Sequence, residues 1–160
     1  MTTTANQPAV ADASELTVRR TITIAAPVER VWAAITEAEH IAKWFGQAAT
    51  LDEVAVGATG VFSFEGYGDF PVRIEELDPP RTIAYRWSND NARALDPDQV
   101  DPHRSTVFRF TLEPLDGGTQ LTVVESGFGT LADPAASLES NRMGWTSELD
   151  ELVAYLEDGS

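Results

Sequence analysis

The sequence predicts an α+β fold: a curved antiparallel sheet of about seven strands wraps a long C-terminal helix and leaves an apolar cavity between them. Three observations carry this. Segment after segment alternates apolar and polar residues. The junctions between segments hold short turn chemistry, which favours hairpins and hence a meander. The last stretch is amphipathic at helical spacing, and the apolar sheet face is the large partner on offer.

The elements follow in order. Leu16, Val18, Arg20, Ile22 and Ile24 share one parity and Thr17, Arg19, Thr21 and Thr23 the other, which predicts a half-buried strand over 16–24. Pro27 suits a first helical position, and Val28, Val31, Trp32 and Ile35 then fall on one helical face. Thr36 and Glu39 have capping-box spacing, predicting a second short helix that carries Ile41, Trp44 and Phe45 and stops at Gly46. Strands are predicted over 47–52, 60–65, 69–77, 82–87, 106–113 and 119–126, with turns at Gly66-Tyr67-Gly68, Asp78-Pro79-Pro80 and Asp116-Gly117-Gly118. Residues 88–105 form a long polar loop rich in Asp, Asn and Pro.

Alternation sorts the faces. Phe62 and Phe64, then Phe70, Val72 and Ile74, then Ile83, Tyr85 and Trp87, then Phe108, Phe110 and Leu112, then Leu121 and Val123 are each two apart. Arg73, Glu75, Thr82, Arg86, Arg109, Thr111, Gln120 and Thr122 hold the opposite parity, so one face is aromatic and the other wet. Asp133-Pro134 opens the final helix. Leu138, Trp145, Leu149, Leu152 and Leu156 form its apolar stripe, with Arg142 in register and Glu148, Asp150, Glu151 and Glu157 off it.

Composition narrows the function. The 160 residues are 42% hydrophobic, enough for one domain with a real core, expected over 15–158 behind a disordered tail at 1–14. There is no cysteine, which removes disulfides, thiolate metal sites and a thiol nucleophile. A net charge of −15 disfavours nucleic acid and anionic membranes as partners, and also serves solubility. No apolar run approaches the ~18 residues of a membrane span, and the start lacks a basic flank before an apolar core. The expected location is the cytoplasm. His40 and His103 are far apart, and Asp96, Asp98 and Asp101 lack the calcium-loop pattern, so no metal and no cofactor are expected. No Gly-x-Ser-x-Gly elbow, P-loop or dinucleotide fingerprint occurs.

The stretch Val18-Arg19-Arg20-Thr21-Ile22, running into Ala26-Pro27-Val28-Glu29-Arg30-Val31-Trp32, resembles the opening of the SRPBCC superfamily, whose START-like, helix-grip fold has this order of elements. His40-Ile41-Ala42-Lys43-Trp44-Phe45, Glu125-Ser126-Gly127-Phe128, and Gly144-Trp145 with Leu149 and Leu152 are similar to homologues of the activator of heat-shock protein 90 ATPase. The resemblance spans about 17–156 and implies the fold. Members of the superfamily bind lipids, sterols, polyketides or plant hormones, and some are cyclases or co-chaperone domains. Fold alone does not choose among these.

Candidate cavity walls are Trp44, Phe62, Phe64, Phe70, Ile74, Tyr85, Trp87, Phe108, Phe110, Trp145 and Leu149, each of which also suits plain core packing. Parity places Glu125 with Leu121 and Val123 on the apolar face, where a carboxylate must be paired, hydrogen-bonded or protonated. It is a candidate ligand anchor, or an acid–base group, or a satisfied structural charge. Arg142 interrupts the helix stripe; it either snorkels to solvent near the helix start or reaches Glu125 or a ligand carboxylate. Tyr85 and Ser126 supply hydroxyls nearby.

The leading expectation is a carrier or sensor of an apolar or aromatic small molecule. A polyketide cyclase-like enzyme using Glu125 is the alternative. A chaperone-activating role is implied by the resemblance, although the chain departs from the eukaryotic activators in having no second domain to grip the chaperone. A homodimer is compatible with all three.

Overall fold

The alternation in the sequence becomes an eight-stranded antiparallel sheet in a computed structural model that describes residues 6–64, 68–87 and 105–158. The strands are β1 Val10–Asp12, β2 Thr17–Ile24, β3 Ala48–Leu51, β4 Thr59–Phe64, β5 Gly68–Asp78, β6 Thr82–Trp87, β7 Thr106–Leu115 and β8 Gly118–Ser126. Their order across the sheet is β1-β2-β8-β7-β6-β5-β4-β3. From β3 to β8 this is the expected meander; β2 then returns from the N-terminus to pair with β8. The helices are α1 Val28–Thr36, α2 Ala38–Trp44 and α3 Pro134–Asp158. The turn residues Gly66 and Tyr67, the polar loop up to residue 104, His103 and the Asp96, Asp98 and Asp101 group lie outside the described residues.

Strand β1 replaces part of the expected tail. It pairs antiparallel with β2, Ala11 opposite Val18. The Asp12 carboxylate closes the turn between them by accepting from the Ser14 N–H at 2.9 Å, the Ser14 hydroxyl at 2.7 Å and the Glu15 N–H at 3.1 Å. Leu16, expected as the first strand residue, instead completes this turn at φ +54. A branched apolar residue in that left-handed region costs about 1 kcal/mol, which the hairpin offsets.

The short helices differ from the sequence reading at their ends. Pro27 is the N-cap of α1, one position earlier than expected. The capping box does not form: the Thr36 hydroxyl donates back to the Trp32 carbonyl at 2.7 Å inside α1, and extended Glu37 caps α2. Phe45 sits past the end of α2 in extended backbone, followed by Gly46 at φ +76. A Cβ on Gly46 would lie 2.5 Å from the Ser63 carbonyl oxygen, so this close turn requires glycine.

The inner sheet face is dry and aromatic. Phe62, Tyr85, Phe108 and Phe110 are buried there with Ile74, Val72 and Ile83, and Leu138, Trp145, Leu149, Leu152 and Leu156 of α3 cover them. The opposite parity carries ion pairs, with Glu75 between Arg73 and Arg86 and Glu76 beside Arg109. Glu75 is the extra residue of a bulge, since Ile74 faces Tyr85 while Glu76 faces Ala84. Such a bulge bends β5 around the helix. The Asp133 carboxylate accepts from the Ala136 N–H at 3.2 Å, confirming the predicted start of α3.

Arg20 explains its own place on the apolar parity of β2. Its guanidinium donates to the Gln7, Trp145 and Thr146 carbonyls and pairs with Asp150 at 2.6 Å. One buried cation thereby ties the N-terminal segment, β2 and α3 together.

Candidate functional site

Strand register brings the site together. Glu125, near the end of β8, faces Val18 on one side and Phe108 on the other, which sets its side chain into the interior under α3. It is 0% exposed. Oε2 accepts from Trp87 Nε1 at 2.9 Å and Thr106 Oγ1 at 2.5 Å, Oε1 accepts from Trp145 Nε1 at 2.8 Å, and Asn141 Nδ2 lies 3.0 and 3.1 Å from the two oxygens. Burial pushes the carboxyl above its ordinary range, and the bonds from Thr106, Trp87, Trp145 and Asn141 pull against that. A carboxylate ringed by donors is a structural anchor, because the two indole N–H groups can only donate and find their acceptor in it.

Of the two alternatives for Arg142, the pair with Glu125 is not formed. Arg142 turns to its own helix neighbour, Glu139, with Nη2 2.5 Å and Nε 2.8 Å from that carboxylate. An arginine near the helix edge reaches a hydrated partner at far smaller desolvation cost than a buried one. Asn141, one residue away, takes the interior position.

The anchored indoles shape a neighbouring cleft of about 400 Å³. Phe45 stacks on Trp145, with centroids 5.4 Å apart and planes 12° from parallel, and on Trp87 at 5.7 Å and 26°. Glu125 thus holds both plates that clamp Phe45. Phe64 and Phe70, in edge contact at 5.6 Å, form the wall from β4 and β5. Helix α3 supplies the facing wall with Asn141, Gly144, Trp145 and Glu148, and a rim of Ser140, Met143 and Ser147.

Four predicted wall residues, Phe64, Phe70, Trp87 and Trp145, line this cleft. Trp44, Phe62, Ile74, Tyr85, Phe108, Phe110 and Leu149 do not; they fill the sheet–helix interior. The central cavity expected there is occupied by their own rings, and the open space lies to one end. Trp44 donates to the Ala34 carbonyl at 2.8 Å and the Tyr85 hydroxyl to the Ile35 carbonyl at 2.6 Å. Both polar tips are therefore satisfied within the core. Burial raises the Tyr85 phenol well above its usual value. Ser126 is exposed, and Arg142 is absent from the cleft wall.

Sequence reasoning missed Phe45 and Glu148. Glu148 was placed off the apolar stripe, yet it stands three residues after Trp145 and four after Gly144, on the helix side that the cleft uses. Its Oε2 is buried with no hydrogen-bond partner among the described residues. Burial, then the neighbouring Glu151 charge, push its carboxyl up to about 7, against a backbone hydrogen bond from Gly46. The sign of the linkage follows. A carboxyl raised in the folded state contributes fully below its ordinary value near 4.5, and that contribution is lost as pH rises to about 7. Glu148→Gln is therefore expected to gain stability over wild type between these pH values. The gain is roughly 1 kcal/mol at pH 8 once solvent screening of this partly exposed group is allowed for. Urea unfolding at pH 4.5 and 8 measures it; an unchanged difference between the two proteins would contradict the assignment.

A sheet curled over a long C-terminal helix, with two short helices after the strand that pairs with the last one, defines the helix-grip, START-like class. The sequence pattern of the family described as activator of Hsp90 ATPase homolog 1-like protein matches residues 25–157, and the chain belongs to that family. Among curated proteins, none matches the sequence. Protein MLL2253 from Mesorhizobium loti has the same fold at a TM-score of 0.73 and 27% identity, the match covering 90% of this chain and 98% of that one. DynU16, a protein in the dynemicin biosynthetic locus, matches at 0.70 and 27% identity over 90% of this chain, which spans 48% of DynU16. The Aha1 dimer from Colwellia psychrerythraea matches at 0.69 and 21% identity over 90% and 98% of the two chains, a likeness of fold. No helix among the described residues is long and apolar enough to cross a membrane.

Proposed function

We propose that the protein binds an apolar or aromatic small molecule in the cleft between α3 and the β4–β5 wall. The observation that carries this is a space of about 400 Å³ bordered by the rings of Phe45, Phe64, Phe70, Trp87 and Trp145. That volume lies within the usual range for small-molecule sites, and aromatic walls with a few polar groups are their usual lining. The rings are held by packing and by the Glu125 anchor, so the site is organised before a ligand arrives.

Gly144 gives a clean test. A Cβ added there meets nothing within 4 Å, so a larger side chain projects into open space at the cleft wall. Gly144→Leu is expected to keep or slightly raise stability, since glycine within a helix is unfavourable by about 1 kcal/mol. It is expected to abolish binding of aromatic and aliphatic compounds detected by native mass spectrometry on the wild type. Ligands that bind both proteins equally would place binding elsewhere.

A cyclase-like activity is the second reading, suggested by a carboxyl group standing in an aromatic cleft. Its acid–base group would be Glu148 at the cleft, since both oxygens of Glu125 are engaged by donors. A chaperone-facing role and a homodimer are suggested by the family and by the Colwellia dimer.

A further inference from the structure

We propose that the ligand of this cleft carries an amine, and that its ammonium group donates to the carboxylate of Glu148 while its apolar body lies against the aromatic wall. This rests on the cleft being a small-molecule site and names the chemistry that it selects. Glu148 is the one charged residue among the described residues of the cleft wall. Among the described residues no lysine, arginine or histidine lines the space, and Arg142 is held by Glu139 outside it. A carboxylate or phosphate ligand would thus meet a like charge with no basic partner among the described residues, inside a chain of net charge −15.

The wall is suited to a cation in two further ways. Among the described residues Oε2 of Glu148 is buried without a donor, and a buried acceptor left unmet is unfavourable until one is supplied. The rings of Trp145 and Trp87 border the same cleft, and aromatic rings attract a desolvated cation. Asn141, Ser140 and Ser147 offer neutral polar groups that serve an alcohol about as well as an amine, so the discriminating group is Glu148.

Three probes that share one body separate the cases: 4-phenylbutylamine, 4-phenylbutan-1-ol and 4-phenylbutanoate. Each is titrated into the full chain at pH 8, with amide and indole N–H signals followed by NMR at low and at 0.3 M salt. The amine is expected to bind about tenfold tighter than the alcohol, with the acid weakest, as a charge-assisted hydrogen bond implies. Glu148→Gln should erase the preference for amine and leave the alcohol affinity unchanged. Gly144→Leu should abolish binding of both. Alcohol or acid binding as tightly as the amine in the wild type overturns the amine assignment while leaving the cleft a ligand site. Amine binding that survives Gly144→Leu is general attraction to an acidic surface and overturns it too. If none of the three moves the cleft signals, the small-molecule reading falls and the amine assignment falls with it.

Discussion

Glu125→Ala is expected to remove about 3–5 kcal/mol of folding stability, because it opens a cavity in the core and strands several buried donors. The carboxylate receives Trp87, Thr106, Asn141 and Trp145, and alanine leaves these donors facing a dry gap. A stranded buried donor costs about 1–3 kcal/mol, but the terms do not simply add. Trp87 keeps the Thr106 hydroxyl as an acceptor at 2.9 Å, and half-buried Asn141 can turn toward water. Trp145 has no such substitute partner among the described residues, and its indole carries much of the loss. Glu125→Gln keeps one acceptor oxygen but aims an amide N–H₂ at other donors, so a loss of about 2 kcal/mol is expected. The order wild type, Gln, Ala is read from urea midpoints followed by far-ultraviolet circular dichroism. The competing effect is the desolvation that raises this carboxyl. A glutamine variant more stable than wild type at pH 8 would show that desolvation outweighs the hydrogen bonds.

Trp145→Ala should cost a similar amount, about 3–5 kcal/mol, through a different mechanism. Trp145 is 2% exposed and packs on Phe45, Phe108 and Phe110, so truncation opens a large void at the junction of α3 and the sheet. It also frees Oε1 of Glu125 from its shortest donor and removes the plate on which Phe45 rests. The two substitutions share one contact, so combining Trp145→Ala with Glu125→Ala should lose at least 1 kcal/mol less than the sum. An additive result would separate the anchor from the aromatic stack. Trp145→Phe restores much of the packing and none of the hydrogen bond, and its stability should fall between the two.

Much of the fold was legible because strand parity is a local property. Val18, Ile22, Phe108, Phe110, Val123 and Glu125 all point where alternation placed them. Parity also identified Arg20 and Glu125 as polar residues on a dry face. It could not say what satisfies them, since those partners come from other strands and from the helix. Trp87 ends β6, Thr106 begins β7 and Asn141 lies on α3; their convergence depends on register and on how the helix docks. Neighbours on a helix point about 100° apart, so Asn141 and Arg142 exchange roles through a modest rotation that the stripe of leucines does not define. Phe45 was missed for the opposite reason. Helical spacing assigns the interior to Trp44 or to Phe45, but α2 ends between them and both turn inward. Glu148 escaped because a search for apolar walls passes over a carboxylate.

The pairing of β2 with β8 sets Val18 beside Glu125, residues separated by roughly a hundred positions in the chain. Bringing such distant segments together incurs loop-closure entropy before the contacts form, and topologies of this kind fold slowly, over milliseconds to seconds. During synthesis the hairpins of β3 to β6 emerge before β8 and α3, and their aromatic side stays uncovered until those arrive. The anchor carboxylate and the Trp145 indole belong to those last pieces. The cleft is thus completed at the end of folding, and its appearance reports that the whole topology has closed.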